Sequence, residues 1–271
     1  MRTPPVVLSI AGYDPSSGAG ITADIKTAAA LGCYAITCVT AVTTQNTTGV
    51  FGVEALQPGL VDNILELLPG DFDIAAVRIG MLGSTEVAAE VGAFLDCHTL
   101  PNVVLDPVIR SSSGTPLLDE RGLYVLRQIL PLCDVITPNI AEAAILAGSE
   151  PMAENQNWDA SLPEIRRLAA GLHNLGAEAV VITGGHLNPA NDFLSQRRSE
   201  QIQETVFPGE RIDSRSTHGT GCAFATALAC RLALGDDLGQ AVRSAKAYVR
   251  KAIETAYPLG KGIGPVNHFG D

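Results

Sequence analysis

The residues best suited to chemistry form one short run, His218-Gly219-Thr220-Gly221-Cys222, followed at once by the apolar helical stretch Ala223–Leu234. Two glycines bracketing Thr220 let successive backbone N–H groups converge at a helix N-terminus, which makes a site for an anion such as a phosphoryl group in transfer. Cys222 falls in the first turn of that helix. The helix dipole there lowers a thiol's pKa, so Cys222 is a candidate thiolate that accepts a proton from a substrate. A glycine turn ahead of a core helix, with Cys222 as a small packed residue, explains the spacing equally well.

Other candidates are scattered along the chain. Gly12 and Asp14 lie in the Gly/Ser-rich segment Ala11–Gly20, where glycine permits close backbone approach to a ligand. Asp14 could bind a ligand hydroxyl or cap a turn. Gln45 offers a donor and an acceptor together, matching the edge of an aminopyrimidine, unless it is an ordinary turn residue. Met81, in Gly80-Met81-Leu82-Gly83, could press on an aromatic ring or simply pack in the core. Asp106, at the end of an apolar run, could orient Mg²⁺ or its waters. Asn139-x-x-Glu142 places an amide and a carboxylate one turn apart, facing one ligand or forming a capping box.

These residues need elements to position them. Apolar runs predict strands at Val6–Ala11, Tyr34–Thr43, Val50–Leu56, Ala75–Ile79, Val103–Asp106, Asp134–Thr137 and Ala179–Thr183, with Asn46–Gly49 as a turn. Helical periods fall at Ala19–Leu31, Pro58–Leu68, Ser84–Cys97 with Ser84 as N-cap, Leu118–Leu130, Ile140–Ala147, Leu162–Leu175, Thr220–Leu234 and Leu238–Tyr257. Residues 149–161 and 186–204 read as the most loop-like, with a hairpin or lid in Asn188–Glu204. Alternating strands and helices predict an α/β fold: one domain over residues 1–271, a three-layer α/β/α sandwich on a mostly parallel sheet. Continuously apolar strands imply that both faces are covered. Ligands in such sheets bind beyond the carboxyl ends of strands, where the polar and Gly-rich segments fall.

Composition narrows the partners. Asp and Glu number 29 against 18 Lys and Arg, without a basic run, which argues against nucleic acid. No segment is long and apolar enough to span a membrane. Six cysteines without a CxxC pair or zinc spacing suggest reduced thiols and a cytoplasmic location.

In order, Ala11–Gly20, Ala23-Asp24-x-Lys26-Thr27, Thr40–Thr47, Ile79–Leu82, Val104–Val108, Ile136–Ala143, Gly184-Gly185-His186, His218–Cys222 and Gly262–His268 resemble the hydroxymethylpyrimidine/phosphomethylpyrimidine kinases of thiamin biosynthesis, within the ribokinase-like superfamily. The resemblance covers nearly the whole chain. It implies a ribokinase-like fold, ATP and Mg²⁺, and a small heteroaromatic alcohol as substrate. Cys222 would be catalytic and Gly219, Thr220 and Gly221 would form the anion hole. Gly12, Met81 and Val108 would line the substrate pocket, with Thr43 beside them and Gln45 reading the ring edge. Asp106, Asn139 and Glu142 would serve the Mg²⁺–phosphate region, and Thr183–His186, including Gly185, would lie beside the nucleotide phosphates. Relatives often dimerise, so a homodimer is a further expectation, with Tyr34–Leu56 as a candidate contact.

Three departures matter. Thr183 stands where the family has a lysine, and Ser112 where it often has another. Ser17 replaces a glycine. A charge-assisted hydrogen bond contributes roughly 1.5–3 kcal/mol, so the missing cations should weaken the second phosphorylation most. Arg110 is a candidate substitute. Pyridoxal or pyridoxine kinase activity and a non-catalytic pyrimidine-binding role are the alternative readings.

Overall fold

The computed structural model describes residues 3–111, 114–150, 157–199 and 201–269. Its core is a nine-stranded sheet in the order β3-β2-β1-β4-β5-β6-β7-β8-β9. The strands are β1 (Val6–Tyr13), β2 (Tyr34–Asn46), β3 (Gly49–Ala55), β4 (Ile74–Ile79), β5 (Val103–Leu105), β6 (Val135–Ile136), β7 (Ala179–Ile182), β8 (Asp192–Arg198) and β9 (Gln201–Phe207). From β2 through β7 the pairing is parallel. Antiparallel β3 closes one edge, and the β8–β9 hairpin closes the other. The expected hairpin in Asn188–Glu204 is therefore part of the sheet.

Helices α1 (Gly20–Ala30), α7 (Thr220–Ala233) and α8 (Leu238–Glu254) cover one face. Helices α2 (Pro58–Leu67), α3 (Thr85–Cys97), α4 (Glu120–Ile129), α5 (Ile140–Ala147) and α6 (Trp158–Asn174) cover the other. Side chains alternate across a strand, so Leu8, Ile10, Val77 and Ile79 join the second layer, and Val7, Ala76 and Val104 the first. Fully burying such a side chain is worth about 1.5–3 kcal/mol, which anchors the strands in register. The same alternation aims Ser9, Arg78 and Asp106 into the α1/α7 layer, where charge is costly.

Several boundaries differ from the sequence expectation, each for a local reason. β2 continues past Thr43 to Asn46, because β3 supplies an antiparallel partner beyond the reach of β1. Gln45 is thus a strand residue and not a turn residue. Helix α6 starts at Trp158 instead of Leu162. Asn157 caps it by accepting from the amides of Asp159 (2.8 Å) and Ala160 (3.4 Å), and Pro163 sits inside the helix rather than at its start. Ser84 caps α3 as expected, accepting from Val87 N at 3.1 Å. All six cysteines are free, and among the described residues no helix is long and apolar enough to cross a membrane.

Candidate active site

Gly219 is the N-cap of α7 at φ +82, a conformation that glycine enters without steric cost, and no side chain caps this end. A Cβ there would collide with the carbonyl oxygen of Gly18, so the loop after β1 lies directly on the start of α7. Thr220 N turns back to Thr217 O (3.3 Å). The first-turn amides of Gly221 and Cys222 have no carbonyl within the helix to bond. Of the three residues expected to form the anion hole, Thr220 is the one whose amide has a carbonyl partner in this turn.

The same contact brings the two Gly-rich segments and Gln45 together. His218 Nε2 lies 2.8 Å from Asp14 Oδ2 and 3.1 Å from the Gln45 amide. Thr43 Oγ1 bridges the Tyr13 carbonyl and the Gln45 amide, each at 3.1 Å. Of the two roles open to Asp14, turn cap is the one filled. Its carboxylate accepts from the amides of Ser16, Gly18 and Ala19 and from the Ser16 hydroxyl. Ser17, inside that turn, stands at φ +66, the region where a glycine is unstrained. Met81 Sδ is 3.0 Å from where a side chain on Gly12 would begin, and Met81, Ala41 and Leu117 pack with half-buried Val108. Gly12, Thr43, Gln45, Met81 and Val108 thus border one region.

Beneath it lies a buried polar cluster. Arg78 on β4 is fully buried and bonds Asp24 Oδ2 on α1 (3.0 Å) and Asp106 Oδ2 after β5 (2.6 Å). Asp24 also accepts from Ser9 (2.6 Å) and from Thr226 on α7 (2.7 Å). Cys222 is half-buried as a residue, and its thiol turns inward to Arg78 and Asp106, whose charges act on it. Burial, with Asp106 and Asp24 nearby, pushes the Cys222 thiol up to about 11 against the pull of Arg78. This corrects the expectation of a lowered thiol pKa: the helix N-terminus is present, but its surroundings are dry and anionic. Burial likewise raises Asp24 and Asp106, while their negative charges hold Arg78 firmly protonated.

Asn139 and Glu142 form a reciprocal capping box at the start of α5, both bonds at 2.9 Å. The local role of this pair is thus the cap. Burial and the nearby Asp106 charge raise Glu142 to about 8. A carboxyl raised on folding keeps its proton longer in the native state, so stability is lost as pH climbs from about 4.5 toward 8. Glu142→Gln preserves the cap and removes the charge. We expect Tm to fall less between pH 5 and 8 in that variant than in the parent, by roughly a few degrees. Identical pH slopes in thermal melts would remove Glu142 from this account.

Thr183 bridges to Asn139, and its amide donates to Pro138 O at 3.0 Å, so the 183–186 loop adjoins that cap. Gly184 N donates to Asp192 Oδ1 (3.0 Å), whose other oxygen holds Lys246 Nζ of α8 (2.7 Å). A cation stands behind the loop, though its charge is committed to Asp192. Gly185 is exposed. A shallow, open hollow lined by Pro189, Asn191, Pro208, Gly209, Glu210 and Arg250 lies alongside, since Gly184 packs on the Asn191 carbonyl. Arg110 is exposed and donates to Gly114 O (3.4 Å), away from the buried groups. Ser112 lies outside the described residues.

Among the described residues no three ligand-type side chains could cage a metal ion. Asp106 and Glu142 offer two neighbouring carboxylates, which suits Mg²⁺ held mainly by phosphates and water. A divalent cation would also relieve the repulsion that raises Glu142.

The family profile for phosphomethylpyrimidine kinase matches residues 14–267. The chain belongs to that family. The hydroxymethylpyrimidine/phosphomethylpyrimidine kinase of Salmonella typhimurium is 41% identical over 97% of this chain and 96% of its own length. The thiamine biosynthesis bifunctional protein ThiED of Geobacter sulfurreducens is 40% identical over 97% of the chain, which spans 52% of that longer protein. The ADP complex of Bacillus subtilis pyridoxal kinase superposes with a TM-score of 0.85 at 30% identity, covering 98% of both chains. The fold of this family member is accordingly the ribokinase-like sandwich expected from sequence. Sequence reasoning assigned no role to Arg78, Asp24 or His218. The available signals were a lone charge inside the apolar run Ala75–Ile79, and a histidine opening the glycine motif.

Proposed function

We propose that the chain transfers the γ-phosphoryl group of ATP to the hydroxymethyl oxygen of 4-amino-5-hydroxymethyl-2-methylpyrimidine, and then to its monophosphate, in cytoplasmic thiamin biosynthesis. One observation carries this reading. Gln45, the residue suited to an aminopyrimidine edge, touches His218, which immediately precedes the anion-binding start of α7. A ring held on Gln45 is therefore delivered to the thiol and amides of Cys222.

Gly12, Met81 and Val108 form the pocket wall, and the Gly221 and Cys222 amides hold charge developing on the transferred phosphoryl group. With its thiol near 11, Cys222 acts as a relay. It takes the hydroxymethyl proton as its own proton passes to Asp106, whose carboxylate it faces. The hydroxymethyl oxygen attacks the γ-phosphorus in line. Asp106 and Glu142 would hold Mg²⁺ through phosphate oxygens or waters; when bound, it neutralises phosphate charge. Asn139 and the Thr183–Gly185 loop border the phosphates. Arg110 reaches the phosphates only if its exposed loop folds inward.

An ATP-coupled assay with two alcohols and the aminopyrimidine monophosphate tests the proposal. Turnover of the aminopyrimidine alcohol is expected, with kcat/KM at least about tenfold above pyridoxal, which cannot satisfy both ends of the Gln45 amide. The monophosphate should be used less efficiently than the alcohol, since Thr183 and Ser112 supply no cation for the extra phosphate. Preferential turnover of pyridoxal, or none with any alcohol, would overturn the reading.

A further inference from the structure

The contact between His218 and Gln45 carries information beyond proximity. Asp14 receives three backbone amides and the Ser16 hydroxyl, so its oxygens act as acceptors throughout. The turn and His218 hydrogen bonds outweigh burial and keep its carboxyl below the ordinary range. A ring nitrogen 2.8 Å from such a carboxylate must carry a proton. The ring has little freedom to do otherwise. A side chain on Gly18 would strike its Cδ2 edge, and its backbone is tied to Gly264 O (3.0 Å) and bridged to Pro265.

As placed, Gln45 turns its amide nitrogen toward that same Nε2 (3.1 Å) and its oxygen toward Thr43 Oγ1 (3.1 Å). Two N–H donors then face each other. The Thr43 hydroxyl must also divide one proton between Gln45 and the Tyr13 carbonyl. Turning the amide by half a revolution removes both conflicts. Oε1 then shares the Nε2 proton of His218 with Asp14 Oδ2 in a three-centre bond, Gln45 Nε2 donates to Thr43 Oγ1, and the Thr43 proton goes wholly to Tyr13 O.

We propose that His218, held by Asp14, is a positioning residue that locks the Gln45 amide in this second orientation and so sets the order of acceptor and donor offered to the substrate ring. The free lone pair of Oε1 lies on the His218 side, and the free N–H of Nε2 on the Thr43 side. An exocyclic amine beside an unprotonated ring nitrogen matches that order. A ring carbonyl beside a ring N–H reverses it. The ring cannot turn over to compensate, because its hydroxymethyl group must point at Cys222. This inference rests on the reading of Gln45 as the ring-edge residue.

The test compares kcat/KM for the 4-amino alcohol and its 4-oxo analogue, in the parent and in Gln45→Ala, His218→Leu and His218→Gln. The parent should prefer the amino ring by at least about tenfold. His218→Leu should erase most of that preference through KM, with kcat for the amino alcohol within about threefold. His218→Gln, which returns a donor near the Nε2 position, should restore it. An unchanged preference in His218→Leu, when Gln45→Ala loses it, overturns the locking role while leaving Gln45 in place. An unchanged preference in Gln45→Ala overturns the ring-edge reading and this proposal with it. Ring ¹⁵N chemical shifts of the unsubstituted protein, assigned to His218 by through-bond correlation to its backbone, give a check independent of any variant's folding. A proton on Nε2 is expected, and a proton on Nδ1 alone would refute the proposal.

Discussion

Replacing Cys222 by alanine is expected to lower kcat by about 10²–10⁴-fold while KM for the alcohol changes less than about threefold, as measured by steady-state turnover. In the proposed transfer the thiol engages the reacting oxygen only as its proton leaves, so its loss should fall on the transition state. The first-turn amides of α7 remain, since no side chain caps them, and residual activity above the uncatalysed rate should persist. A free thiol near 11 makes a simple thiolate base rare at neutral pH. If it were the working form, kcat/KM would keep rising tenfold per pH unit toward 11. Relay to Asp106 predicts a plateau well below that. A Cys222→Ala variant with unchanged kcat would exclude the thiol from proton transfer.

Replacing Arg78 by methionine should destabilise the protein by about 3–5 kcal/mol, because it strands two buried carboxyl groups whose shared cation is gone. At this chain length that corresponds to a fall in Tm of roughly 5–10 °C. Asp24 sits fully buried, and Asp106 nearly so. Neither can turn to water without disturbing α1 or the end of β5. Adding Asp24→Asn should recover part of the loss, since one stranded charge is removed while the bonds from Ser9 and Thr226 have an acceptor left. Denaturant melts of the single and double variants check this. A loss below about 1 kcal/mol in Arg78→Met would mean that the cluster is held by its neighbours and not by the guanidinium. Arg78 also attracts the Cys222 thiolate, so surviving Arg78→Met protein should turn over more slowly than the parent.

What the sequence revealed, and what it hid, follows from the range of the interactions involved. The alternation of strands and helices was legible because apolar runs such as Val6–Ala11 and caps such as Ser84 are local signals. The glycine motif before α7 was legible for the same reason. Gln45 looked like a turn residue because the partner that keeps it in a strand, β3, pairs only past the end of β1. The start of α6 was hidden because Pro163 resembles a first-turn proline. Arg78 finds its partners 54 and 28 positions away, and nothing adjacent in sequence points to them. The Cys222 pKa was read with the wrong sign because helix position is visible in sequence, whereas burial beside Asp24 and Asp106 is a property of the packed sheet. His218 illustrates a middle case: its place in the motif was plain, but its partners, Asp14 and Gln45, lie more than 170 residues upstream.

The central claim is that Gln45 and Cys222 address the same molecule from opposite ends. A crystal structure with the aminopyrimidine alcohol and a non-hydrolysable ATP analogue tests it most directly. The account predicts the amine and ring nitrogen on the Gln45 amide, with the hydroxymethyl oxygen within hydrogen-bond reach of Cys222 Sγ and aimed at the terminal phosphorus. A ring bound away from Gln45, or a hydroxymethyl group turned from the thiol and toward another base, would contradict it.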